Sequence, residues 1–155
     1  MKKLLRMIAV FLAFSLMVGC SRLPATYPFV NQNDAIESVE LLYHPQPNNL
    51  LNTKDYLLVR ELTLDEIIPF MDALHRLETD KCTSPPPRGY GEYVVRVIYA
   101  NGDMEIFGNY HIEFVKSGDE EAGVGSYVFN PFTAYEELFL SYSGGQAFLD
   151  KTWLG

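Results

Sequence analysis

The chain has 155 residues, with 12 Lys+Arg against 20 Asp+Glu and a formal net charge of −8. Such an acidic balance repels nucleic acid and anionic lipid, which excludes nucleic-acid binding as a class of function. The length suits one domain with a sizeable core, and two cysteines are too few for a disulfide-stapled scaffold.

Residues 1–20 begin with Lys2, Lys3 and Arg6, run through an apolar stretch at 7–18 broken only by Ser15, and close on Met17-Val18-Gly19-Cys20. The apolar stretch is shorter than the roughly 17–25 residues that cross a bilayer as a helix, and a basic start with a small residue at the end is the signal-peptide pattern. A conventional secretory signal carries small residues at the first and third positions before the cut, and here the third is Met17. The stretch resembles the signal peptide and lipobox of bacterial lipoproteins, with Met17 where that family most often has Leu. The resemblance implies a diacylglyceryl group on the Cys20 sulfur, cleavage just before it, and a new amino terminus that is often acylated as well, with palmitate-class chains. Two or three chains, at about 0.8 kcal/mol per buried methylene, make a stable anchor where one is marginal. Ser21 after the cysteine, rather than Asp, implies the outer membrane in a diderm host and the cell membrane otherwise.

Removing residues 1–19 takes three bases, leaving 9 against 20 acidic residues, a net charge of −11, in a mature chain of 136 residues. With Cys20 given to lipid, an internal disulfide is impossible. Cys82 is then read as a small packed or loop thiol, with an intermolecular bridge as the alternative. Residues 20–34 carry Pro24, Pro28, Asn31, Gln32 and Asn33 with no apolar period. They are read as a lipid-anchored linker that holds the domain off the membrane, with Tyr27, Phe29 and Val30 on the domain surface.

A single globular domain is expected over residues 35–155. Residues 35–43 alternate as a strand, and two prolines at 45 and 47 stop it. A second strand at 56–62 leads into Thr63 and Glu66 in capping-box spacing, flanked by Leu62 and Ile67 as a staple. The helix they open is expected to reach Leu77, with Ile67, Phe70, Met71, Leu74 and Leu77 as its apolar stripe. Pro69 is expected to kink it or delay its regular start. Residues 80–91, with Pro85-Pro86-Pro87, read as a stiff connecting loop.

Asn101-Gly102 between two apolar runs signals a hairpin with a two-residue turn. Taking those two as the loop pairs Tyr99 with Met104, Val97 with Ile106, Val95 with Gly108 and Tyr93 with Tyr110. That puts Glu105 and Phe107 on the outer face, and Gly108 marks a bend or bulge. If the strand continues, Ile112 and Phe114 join the core face while His111 and Glu113 face outward. Residues 116–125 read as a polar loop and 126–129 as a short strand. Asn130 is expected to cap a second helix with Pro131 at its first position, Tyr135, Leu138, Phe139 and Tyr142 as its stripe, and Ser143-Gly144-Gly145 as its end. The tail residues Phe148, Trp153 and Leu154 are expected to pack back on the domain. The elements describe an α+β fold, an antiparallel sheet of about five or six strands with two helices packed on one face. Beyond residue 20 the likeness to small α+β envelope lipoproteins is only general.

Chemistry-bearing patterns are sparse. His111 and Glu113 share a strand face and, with Glu105 or Asp103, suggest a metal site of imidazole-plus-carboxylate type. His44 at a strand end and His75 on a helix are not placed with them, so a solvated polar face is the simpler account. Asp119-Glu120-Glu121 lacks the alternating oxygen ligands and central glycine of a calcium loop. There is no nucleophile elbow and no phosphate-cradling glycine loop. No catalytic residue, metal or cofactor is assigned. Ten tyrosines fall in the mature chain. Tyr90, Tyr93, Tyr99 and Tyr110, with His111 and Glu113, outline a weak candidate ligand surface, although strand tyrosines packed with their hydroxyls at the rim explain them as well.

The expectation is therefore a non-enzymatic envelope lipoprotein, joined to the membrane through Cys20, whose domain lies outside the cytoplasm and binds a protein or envelope component. One alternative is an envelope inhibitor or immunity protein with an acidic blocking surface. Another is a small metal-dependent hydrolase around His111 and Glu113.

Overall fold

The computed structural model describes residues 22–29, 35–45, 53–82, 89–118 and 127–145. Residues 1–20 with Cys20, Ser21, the proline triplet, the acidic segment at 119–121 and the tail at 146–155 lie outside the described residues. Among the described residues eight strands form one antiparallel sheet: β1 (Arg22–Pro24), β2 (Ile36–Tyr43), β3 (Leu57–Glu61), β4 (Thr79–Cys82), β5 (Tyr93–Tyr99), β6 (Met104–Gly108), β7 (Ile112–Val115) and β8 (Tyr127–Phe129). Two helices, α1 (Leu64–His75) and α2 (Phe132–Ser143), complete the α+β fold. The strand order is β1-β4-β8-β7-β6-β5-β2-β3: a meander of β5 to β8, with the β2–β3 hairpin at one edge and the β1–β4 pair at the other.

The sheet exceeds the expected five or six strands because β1 and β4 carry no alternating apolar pattern. Thr79–Cys82, whose last three residues fall in the connecting loop expected at 80–91, is a strand because its backbone is paired on both sides, by β1 and by β8. Arg22–Pro24, read as linker, is the edge strand that completes it. Two short segments, of three and four residues, become strands through their neighbours, since ladder hydrogen bonds are a property of backbone and not of side-chain pattern.

Both helices lie on one face. Ile67, Phe70, Met71 and Leu74 of α1 and Tyr135 and Phe139 of α2 join one core with Val39, Leu41, Val95, Val97, Phe107 and Ile112 of the sheet. The Glu66 carboxylate accepts from the Thr63 N–H at 2.9 Å, as the capping-box spacing required. It also meets the Arg60 guanidinium, which donates on to the Tyr142 carbonyl at 3.0 Å and so fastens β3 to both helices. Pro69 sits exposed within α1 and does not delay its start at Leu64. Asn130 does not cap α2: that helix has no side-chain cap, and the Asn130 amide donates instead to Asp80 Oδ2 at 2.8 Å. Gly144, with φ of 94°, closes α2 as expected.

The opposite face of the sheet is also covered. Leu42, Val94 and Ile106 pack there under Tyr56 and Tyr90, which come from the segments flanking the sheet. Gly108 makes this possible: a Cβ at that position would lie 2.3 Å from the Tyr90 carbonyl oxygen. Its expected role as a bend is thus a close backbone approach, the other reason a strand keeps a glycine.

Candidate functional site

The site follows from one residue of register. In the β5–β6 hairpin Val97 pairs with Glu105, Val95 with Phe107 and Val94 with Gly108, one step away from the pairing expected of a two-residue turn. Tyr99 N–H donates to the Asp103 carbonyl at 2.9 Å, and Gly102 N–H to the Tyr99 carbonyl at 2.8 Å, so the loop is Ala100-Asn101-Gly102. Gly102 adopts φ of 86°, the left-handed residue that closes a three-residue hairpin loop. Asn101 Oδ1 accepts from the Asp103 N–H at 2.9 Å and stabilises the turn. Because side chains alternate with period two, this step turns β6 over. Phe107 and Glu105 face the helices, and Ile106 faces the other side.

Glu105 is 0 % exposed. A carboxylate in an apolar interior costs several kcal/mol unless donors satisfy it. The Tyr27 hydroxyl donates to Oε1 at 2.9 Å and the Tyr99 hydroxyl donates to Oε2. Tyr27 itself is 1 % exposed, edge-on to Phe29, Phe107 and Tyr127. Burial first, and then the charge of Glu105, push the Tyr27 hydroxyl far above its usual value, so it stays a donor throughout the physiological range. His75 closes the group from the end of α1, its ring centroid 3.9 Å from that of Phe29. Burial pushes the His75 imidazole below its usual value, against the pull of Glu105 and Asp72.

The segment that delivers Tyr27 is a strap. After β1, Ala25 N–H donates to the Thr79 carbonyl at 3.1 Å. The Thr79 hydroxyl donates to the Ala25 carbonyl at 2.6 Å and accepts from Tyr27 N–H at 2.8 Å. Between this strap and the end of α1 lies a cleft of about 570 Å³, lined by Pro24, Ala25, Thr26, the turn from His75 to Glu78, Thr79, Asp80 and Asn130. Arg76 and Glu78 are exposed in its wall, so the cleft presents both signs of charge beside an imidazole.

A second cluster occupies the opposite face. Tyr90 donates to Glu113 Oε2, and His111 Nε2 stands 4.0 Å from the same oxygen. The Tyr90 and His111 rings are 5.6 Å apart between centroids. His111 Nδ1 is buried with no hydrogen-bond partner, and burial pushes the imidazole below its usual value despite Glu113. Tyr56 anchors the neighbouring segment by donating to the Gly91 carbonyl at 2.7 Å, and burial raises its hydroxyl to about 12.

The residues outlined as a ligand surface therefore separate. Tyr90, His111 and Glu113 come together on one face. Tyr93 and Tyr99 are buried on the other, Tyr93 against Tyr43 and Phe139. Tyr110 is exposed, beside Phe132. His44 stands by Tyr56 and His75 by Phe29. Among the described residues no group of three or more His, Cys, Asp or Glu is placed to hold a metal ion. Cys82 is buried in β4. Glu105, expected on the outer face beside His111 and Glu113, and Tyr27, expected on the domain surface, are instead both buried at the centre of the front cluster, because the register turns β6 over and the strap draws Tyr27 inward. The available signal was Asp103 after Asn101-Gly102, which suits the longer loop as well as the shorter.

The chain matches no protein-family model, no curated protein and no solved structure.

Proposed function

We propose that this protein is a bacterial envelope lipoprotein, held to a membrane by acyl chains on Cys20, whose domain binds a protein or envelope component and carries out no catalysis. The observation that carries the anchor is the run from Lys2 through the apolar stretch to Met17-Val18-Gly19-Cys20. Among the described residues no helix is long and apolar enough to cross a membrane. Support for the binding role comes from the cleft between strap and α1, where a cation, two carboxylates and an imidazole line one cavity. Mixed charge in a partly enclosed cleft suits a peptide or headgroup carrying both signs.

Mass spectrometry of the protein from its own host's membranes, wild type beside Cys20→Ala, tests the anchor. The mature chain should begin at an acylated Cys20, and that species should vanish in the variant. A chain cut elsewhere, or carrying no acyl mass, sinks the lipoprotein reading. In the same membranes, crosslinked partners should be lost in Arg76→Ala/Glu78→Ala while lipidation persists; partners captured equally well by that double variant would remove the cleft from the binding role.

A further inference from the structure

Resting on lipid attachment at Cys20, we infer that the domain lies directly on the bilayer surface, with the end of the sheet where β1 begins set against the headgroups. A linker over residues 20–34 would let the domain stand away from the membrane, since 14 free residues after the cysteine span up to about 45–50 Å when extended. The strap removes that freedom. Arg22 already pairs with Cys82, Leu23 with Lys81 and Pro24 with Asp80, so one residue, Ser21, separates the acylated cysteine from the first paired one. Two Cα steps cover at most about 7.6 Å.

The strap is also fastened beyond β1. Thr79 holds Ala25 and the Tyr27 N–H, and the Tyr27 ring sits in the core with its hydroxyl on Glu105. Peeling it away to lengthen the tether would expose that ring and strip a donor from a buried carboxylate, so the short tether is part of the folded state. Repulsion from a net charge of −11 opposes approach to anionic lipid, and the acyl chains override it at a surface of zwitterionic headgroups. The cleft shares the constraint. Pro24, Ala25 and Thr26 in its wall are four to six residues from Cys20, a reach of roughly 20 Å at most. Its ligand must therefore be presented at the membrane surface, not deep in the envelope.

The test uses the full-length lipidated protein, purified from its host and placed in phosphatidylcholine vesicles. A donor fluorophore sits on Lys81→Cys in a Cys82→Ala background, with acceptors on lipid headgroups. Lys81 is exposed on β4 opposite Leu23. Energy transfer should be efficient, and inserting fifteen Gly/Ser residues between Ser21 and Arg22 should lower it at least two-fold while the unfolding temperature of the labelled domain stays the same. An acylated protein whose transfer is weak, or is unchanged by the insertion, overturns surface apposition and leaves the lipoprotein reading standing. A protein that mass spectrometry shows without acyl chains overturns both together. An insertion that lowers the unfolding temperature is replaced by a shorter Gly/Ser insertion at the same place that leaves it unchanged, which should reduce transfer in the same direction; no reduction there overturns the inference.

Discussion

Two tyrosine–carboxylate pairs stand back to back across neighbouring strands, and they differ in how far water reaches them. Glu105 on β6 is wholly enclosed and takes hydroxyls from Tyr27 and Tyr99. Glu113 on β7 takes one from Tyr90, keeps 19 % of its side chain exposed and has an imidazole nearby. The same donor–acceptor chemistry is thus an enclosed structural tie in one place and a partly hydrated contact in the other. Enclosure decides which, because an acceptor deleted from a dry interior strands its donors, whereas water replaces one lost near the surface. The front pair also joins distant chain: Tyr27, in the strap that follows β1, is drawn into a core built by the meander.

Glu105→Ala should cost about 2–5 kcal/mol, since two buried hydroxyls lose their acceptor, and lower the unfolding temperature by roughly 10 °C or more. Glu113→Ala should cost about 1 kcal/mol or less. Equal losses in thermal unfolding would show that enclosure does not separate the pairs. Gly108→Ala probes the covering of the back face. The new methyl meets the Tyr90 carbonyl at 2.3 Å, so the segment carrying Tyr90 must lift, at about 1–3 kcal/mol. Loss of the slow hydrogen exchange of Tyr110 N–H, which donates to that carbonyl, should accompany it.

The smallest effect is acid sensitivity between pH 7.5 and 5.5. His75 and His111 both titrate below their usual value in the folded protein because burial disfavours the imidazolium. The unfolded chain therefore binds protons first, and stability falls as pH drops below about 6.5, by on the order of 1 kcal/mol or less per unit. Urea midpoints at the two pH values should show the decline, and His111→Gln should flatten part of it. A midpoint that rises on acidification contradicts the sign.

Much of the fold was legible where local chemistry and burial pattern coincide. Thr63 and Glu66 open α1, Gly144 ends α2, and the alternation of Tyr93, Val95, Val97 and Tyr99 identifies the core face of β5. The candidate site was not legible, because it depends on a choice among turns that sequence leaves nearly balanced. Asn101-Gly102 serves a two-residue loop or the last two positions of a three-residue one, and the difference moves Glu105 from solvent to core. No pattern marks a buried glutamate, since its partners lie 78 and 6 residues away.

Sequence by itself determined what is written in contiguous residues: the basic and apolar run ending at Cys20, the acidic balance, the helix caps, the α+β class and the inward face of β5. Tertiary structure decided what depends on backbone pairing between distant segments. It made strands of Arg22–Pro24 and Thr79–Cys82, set the hairpin register, and brought Tyr27 to Glu105 and Tyr90 over Gly108. Backbone hydrogen-bonding groups are the same in every residue but proline, so a short polar segment carries no sign of the neighbour that will complete it.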